Sequence, residues 1–460
     1  MIHWDAARLA RVARARLLSA GGADTTVSGP TRASIDSRAV GPGELFVGLP
    51  GERTDGGAFA AQALAAGAWG VLVKPEHAHA LAPSRRGAVL SHPDPLAALH
   101  ALAGAWRAQL GAKVVAITGS TGKTSTKDIL AAVLGAHLRT VASPQNLNTE
   151  IGLPLAVLAA PPDTEALVLE LAMRGPGQIA ELARIAQPDV GVIVNVGPVH
   201  LELLGSLEAI AAAKAELIAG LRAGSSIVLP AGETLLAAHH REDLRTVTFG
   251  AGGDVELLAR ESDGEVVIRE TGPPGAGERR LSLRPSFAAP HNLRNLLAAV
   301  AAARALDVTP QGRLEVAFSA LRGERIALPD EIVLINDCYN ANPMSMRAAL
   351  DDLAESAPAR RVAVLGDMLE LGPQQRRYHR EIGAHARACG VQLLLTVGPL
   401  AAAMGEAFTA PATEVHALAD APAAAELLGN LLRPRDTVLV KGSRGVGLER
   451  VAETLLAGAR

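Results

Sequence analysis

Aromatic residues are scarce: 3 Trp, 2 Tyr and 6 Phe make up about 2% of 460 residues. The cores must therefore be built from Ala, Leu, Val and Ile, and platforms on which bases stack are not expected. Cysteine is nearly absent. Cys338 and Cys389 are the 2 present, too few for a disulfide framework or a four-cysteine zinc site. They read as reduced cytosolic thiols. Charge of one sign is lacking as well. A formal net charge of −3 gives no reason to expect a nucleic-acid or membrane-surface partner. Long apolar runs are missing too. Two uncharged stretches, 56–73 and 388–405, reach the ~18 residues that a bilayer span needs. Gln62, Gly67 and Gly70 interrupt the first, and Gln392, Gly398 and Pro399 the second. Each reads as a helix and a strand joined by a turn. The segment from Met1 to Arg16 carries Asp5 and four arginines and has no apolar h-region. It reads as an amphipathic helix and not as a signal peptide, so a cytoplasmic location is expected.

What is present is an ordinary globular composition, 49% hydrophobic and 20% charged. At ~150 residues per domain the length suggests about three domains. Residues 1–108 alternate short strands with Ala-rich helices, among them strand 45–47, helix 59–66, strand 71–73 and helix 95–110. From 109 to 326 the pattern is strand, loop, helix, repeated. Strands are predicted over 114–117, 166–169 and 190–196, with helices over 123–135 and 206–221. Such a repeat predicts a parallel sheet with helices on both faces. Residues 245–285 read as a small antiparallel extension of this domain, with a Gly/Pro loop over 270–279. A third α/β unit occupies 327–460, with strands 332–335, 362–365, 393–397 and 438–440 and helices 345–356, 376–388 and 421–432. The expected fold class is α/β in three domains. A smaller α/β N-terminal domain and a Rossmann-like C-terminal domain flank a central sheet of the P-loop type.

The most informative segment is Thr118-Gly119-Ser120-Thr121-Gly122-Lys123-Thr124-Ser125, between strand 114–117 and helix 123–135. Glycines let the backbone approach phosphate oxygens closely. A helix N-terminus points N–H groups and a positive dipole end at them. Lys123 would neutralise the β- and γ-phosphates, and Thr124 would hold Mg²⁺ through its hydroxyl. The pattern is a variant, because Ile117 stands where the usual motif has its first Gly. Glu170 ends strand 166–169 and His200 follows strand 190–196, so both belong to the sheet edge that carries the loop. Glu170 suits Mg²⁺; its alternative is a surface carboxylate. For His200 the alternative is a hydrogen-bonded imidazole without a metal contact, since imidazole is not a favoured Mg²⁺ ligand. Lys214, on helix 206–221, reads most simply as a solvated charge near Glu208 or Glu216.

In this order the chain resembles the Mur ligase family, ATP-dependent amide ligases of peptidoglycan precursor synthesis. The carrying motifs are Gly119–Ser125, Asn146–Pro154, Glu170–Gly177 and Asn195–Glu202 leading to Lys214. They continue with His291–Asn295, Asp337–Pro343, Gly366–Gly372 and Lys441–Arg444, over essentially the whole chain. The last four groups look most like the member that adds D-alanyl-D-alanine to UDP-N-acetylmuramoyl-tripeptide. The Asp-Asn-Pro-Arg motif of the diamino-acid-adding member is absent. Folylpolyglutamate synthetases share the loop but begin close to it.

The resemblance implies roles. Lys214 matches a lysine that several members carbamylate with CO₂, which turns a cation into a carboxylate-like Mg²⁺ ligand beside Thr124, Glu170 and His200. Asn295 matches an adenine contact, with helix capping as its alternative. Arg325 matches an arginine that reaches the γ-phosphate from the domain junction. Asp337 matches the acid that binds the ribose hydroxyls. Ser37 and Arg38, with Asp36, match the UDP-sugar contact region; the alternative is an ordinary turn. Asn148 and Thr149 match substrate contacts. Domain 1–108 would then bind the UDP-sugar, 109–326 ATP, and 327–460 the incoming dipeptide. A monomer is expected. Two departures stand out: Gly57, where many relatives have His after Asp55-Gly56, and Ala172, where Gly is frequent. The rival readings are a ligase of this fold with another amino-acid acceptor and a nucleotide-binding regulator that is not an enzyme.

Overall fold

The computed structural model describes residues 4–22, 28–82, 86–144, 147–272, 277–411 and 413–458. Met1, Asn146 and the middle of the 270–279 loop lie outside the described residues. Three sheets, of five, ten and six strands, form in chain order. No described helix is long and apolar enough to cross a membrane.

The first sheet is parallel except at one edge, where Arg16–Ala20 runs antiparallel to Ala88–Ser91. This corrects the reading of the start as one helix. Asp5 caps a short helix, Ala6–Val12, through Arg8 N (2.7 Å). Arg14 then takes a left-handed conformation (φ 55°) that turns the chain into the strand. Helix Pro95–Leu110 follows, capped by Asp94 and closed by left-handed Gly111. It is buried between the first and second sheets. Trp106 meets Trp4 edge-on at 5.5 Å and donates its indole N–H to Ala160 O at 3.1 Å. Arg107 reaches Ala186 O and Asp189. One continuous apolar cluster thus joins Trp4 and Leu99 to Leu167 and Ile218.

The central sheet orders its parallel strands Thr140–Ala142, Ala166–Glu170, Lys113–Thr118, Val190–Ile193, Ser226–Pro230 and Arg245–Phe249. The inner strands Ala166–Glu170, Lys113–Thr118 and Val190–Ile193 are nearly unbroken runs of buried residues, as a sheet covered on both faces requires. Arg245–Phe249 pairs parallel with Ser226–Pro230 and so continues the parallel sheet. The antiparallel part begins only with Val255–Arg260, which pairs with Val266–Thr271, and that with Glu278–Pro285. Strand 190–196 stops at Ile193, because the next residues fold back over the phosphate loop.

The third sheet is parallel apart from the edge strand Glu324–Ala327, which pairs antiparallel with Val333–Asn336. The third unit thus starts before residue 327. Its two apolar clusters, one on each face, contain residues from 326 onward only.

Candidate active site

The phosphate loop turns between strand Lys113–Thr118 and helix Lys123–Gly135. Gly122 is left-handed (φ 78°), and a Cβ there would come within 2.5 Å of Asn295 Oδ1, so only glycine fits. Asn195 braces the loop. Its Oδ1 accepts from Ser120 N and Thr121 N at 3.1 and 3.0 Å, and its Nδ2 donates to Thr121 O at 3.0 Å. Ser120 Oγ also bonds Gly197 in both directions, at 3.0 and 2.8 Å. The N-terminus of helix Lys123–Gly135 faces the cleft, where an anion is favoured. Lys123 Nζ donates to Gly119 O at 2.9 Å. Burial lowers its pKa; Glu170 opposes that shift and Arg322 adds to it.

Glu170 ends its strand in a buried position, 2% exposed. Thr124 Oγ1 and Asn148 Nδ2 donate to its two oxygens, both at 2.8 Å. Thr124 and Glu170 offer hard oxygen donors in one place, a set that suits Mg²⁺. Glu170 is therefore not a surface carboxylate. Thr149 lines the same cleft as Asn148. His200 stands at the cleft in a left-handed conformation (φ 53°), and its Nδ1 contacts Glu370 Oε2. Burial lowers its pKa and Glu370 opposes the shift.

Lys214 is not a solvated charge. It is 2% exposed on helix Leu207–Gly220. Glu216 instead accepts from Gly177 N and Ala180 N, at 2.6 and 3.0 Å. Burial, helped by nearby Lys123, pushes the Lys214 pKa well below 10.5. Lys214 does not line the cleft among the described residues. As an ammonium it has no lone pair for a metal; as a carbamate it would supply one.

The C-terminal domain forms the opposite wall. Adjoining cavities of about 650 and 830 Å³ lie between the loop and residues that include Arg322, Tyr339, Asn340 and Asn342. Asp337 follows strand Val333–Asn336, and the buried Lys441 ammonium holds it at 2.6 Å. Asn295 lies inside helix Pro290–Arg304 against Gly122, which removes the capping alternative.

Arg325 is not brought to the loop. It sits in an edge strand, and its guanidinium bonds Asp352 (2.7 Å) and Ser356 (2.9 Å). The arginine within electrostatic reach of Lys123 is Arg322, stacked 3.8 Å over the Tyr339 ring. Sequence reasoning missed Arg322, Asn195 and Glu370. The last two stood inside quoted motifs, so the signal existed without a role.

Ser37 and Arg38 are also apart from the cleft. They form a turn in the first domain in which Arg38 makes paired 2.9 Å bonds to Asp36. Nearby, a Cβ on Gly57 would lie 2.2 Å from His77 Cδ2. The His77 ring therefore fills the room beside Gly57, and its Nε2 lies 3.4 Å from Asp55.

Comparison with known proteins adds to this geometry. Residues 31–107 match the Mur ligase family catalytic domain, 117–303 the Mur ligase middle domain and 321–444 the Mur ligase glutamate ligase domain. The chain is 37% identical over 430 residues to the UDP-N-acetylmuramoyl-tripeptide–D-alanyl-D-alanine ligase of Synechocystis, covering 92% of this chain and 91% of that one. Among solved structures it resembles MurF from Acinetobacter baumannii, with TM-score 0.83, 29% identity and 99% of each chain covered. It also resembles MurF from Thermotoga maritima in complex with ADP, with TM-score 0.77, 28% identity and 92% and 96% coverage.

Proposed function

The chain belongs to the Mur ligase family, and from that premise we propose that it joins D-alanyl-D-alanine to UDP-N-acetylmuramoyl-tripeptide at the expense of ATP. Full-length similarity to a ligase of that name carries the reading. The cleft supplies the chemistry, with a phosphate loop on one wall and a polar wall from a separate domain facing it.

A carboxylate is a poor electrophile, so ATP first converts the tripeptide end to an acyl phosphate. Lys123 and the helix N-terminus hold the phosphates, and Arg322 stabilises charge on the transferring group. Asp337, held by Lys441, takes the ribose hydroxyls, and Asn295 the adenine. Thr124, Glu170 and His200, with Lys214 as a carbamate, would hold Mg²⁺ (two ions, by resemblance to the family). The metal would neutralise charge on the phosphoryl oxygens. Burial favours the neutral, nucleophilic form of the Lys214 amine, the form that reacts with CO₂. The dipeptide amine then attacks the acyl carbon and phosphate leaves. Asn148 and Thr149 line the path beside Glu170. Closure of the C-terminal domain excludes water that would hydrolyse the acyl phosphate. Residues 1–108, with Ser37 and Arg38, bind the UDP-sugar, the central domain ATP, and the C-terminal domain, which takes in strand Glu324–Ala327, the dipeptide. The enzyme works as a cytoplasmic monomer.

Phosphate release with UDP-N-acetylmuramoyl-tripeptide and ATP tests this. Release and an amide product should both depend on D-alanyl-D-alanine. Turnover with another acceptor and none with the dipeptide would sink the reading.

A further inference from the structure

Glu370 lies in the Gly366–Gly372 motif, to which the mechanism above gives no role. The motif is anchored in the C-terminal domain. Met368 and Leu371 are buried, Met368 N donates to His379 Nε2 (2.9 Å), and Leu369 N donates to Ser443 Oγ (3.0 Å). Between these anchors Glu370 is left-handed (φ 62°), a conformation uncommon for a residue with a Cβ. The central domain meets both of its polar groups. Its carbonyl accepts from Glu202 N at 3.2 Å, and its carboxylate contacts His200 Nδ1. His200 is itself left-handed, and Gly372 packs against Glu202. Such conformations persist where surrounding contacts hold them, and they cluster at functional sites.

A carboxylate only accepts. The shared proton therefore sits on Nδ1, and in the neutral ring the Nε2 lone pair is left over. His200 lines the same cavity as Lys123 and Thr124. We propose that Glu370 is a positioning residue: it holds the His200 ring by Nδ1, so that Nε2 serves the metal–nucleotide site, and it does so only while the C-terminal domain is docked. Docking and metal–nucleotide binding are then linked, each favouring the other by the same factor. The inference rests on the reading of His200 as part of that site.

The test uses the full chain, a non-hydrolysable ATP analogue and Mn²⁺, which accepts imidazole, followed by electron paramagnetic resonance. Glu370→Ala should weaken Mn²⁺ binding about 10- to 100-fold, the usual cost of losing a carboxylate behind a ligating histidine. Glu370→Gln keeps an acceptor but not a charged one, and should lose at least about threefold. In a His200→Ala background Glu370→Ala should add nothing further, because its effect passes through the ring. A purely structural role predicts a lower Tm with Mn²⁺ affinity unchanged. Wild type that binds Mn²⁺–nucleotide, with a folded Glu370→Ala protein binding within twofold of it, overturns the inference alone. If Glu370→Ala does not fold, a Glu370→Gln protein equal to wild type overturns it. Wild type that binds no Mn²⁺–nucleotide overturns the reading of the site, and the inference with it.

Discussion

As an ammonium, Lys214 would carry a charge that its surroundings do not accommodate. It is 2% exposed, and the charge that bears on it is that of Lys123, another cation. Removing the amine should therefore abolish ligation yet stabilise the fold. We expect Lys214→Met to gain at least about 1 kcal/mol near neutral pH, since a tenfold loss of proton affinity on burial is worth about 1.4 kcal/mol. The pH dependence has a definite sign. The folded pKa lies well below 10.5, so between the two values the unfolded chain binds more protons. Wild-type stability then rises with pH across that window, and the advantage of Lys214→Met shrinks. Thermal melts of both proteins in CO₂-free buffers, from pH 6 to 10, would check this. A constant difference, or a less stable variant, would contradict it. The sequence could not show the burial, because a lysine among alanines looks the same on either face of a helix. The glycines of the loop were legible, since their spacing alone implies the turn. The identity of the atom that forbids a side chain at Gly122, Asn295 Oδ1, was not.

Short elements decide which arginine faces the cleft. Strand Glu324–Ala327 pairs with Val333–Asn336, and this pairing directs Arg325 to Asp352 and Ser356. Arg322 precedes the strand and remains at the cleft. Arg322→Ala should slow phosphate release by ~10²–10³-fold, as loss of one donor to a transition state does. Arg325→Ala should leave the rate within a few-fold and cost about 1 kcal/mol of stability. Steady-state kinetics and denaturant titration of the two variants would decide, and the opposite ranking would restore Arg325 as the phosphate arginine. Elements with strong periodicity, such as helices 95–110 and 123–135, were legible to within a residue or two. The edge strand was not, because four residues carry too little pattern to show where a domain begins. The stop at Ile193 was hidden for a related reason. Val194 to Val196 are apolar enough for a strand, but the backbone partners of Asn195 lie on the phosphate loop.

At the scale of the molecule the three domains are unequally joined. Their number and class were legible, because strand, loop and helix alternate three times with a break in motif between them. The cut after residue 108 was less so: it falls inside helix Pro95–Leu110, which composition assigns to one domain and packing to two. Trp106 sits at that seam, 1% exposed. Trp106→Ala should cost about 3–5 kcal/mol. In calorimetry the first two domains should melt together in the wild type and come apart in the variant; one unchanged transition would argue against a shared core. The third domain has apolar clusters of its own and begins beside left-handed Gly323. This asymmetry bears on how such chains can recombine. A crossover near 323 exchanges a self-contained unit, so, on the proposed division of labour, acceptor preference could be traded between relatives in one event. A crossover near 108 splits a helix and leaves Trp4 and Ala160 with mismatched partners. On the same division, donor preference would change by point substitution within each lineage, and hybrids made by gene shuffling should survive selection mainly at the later joint.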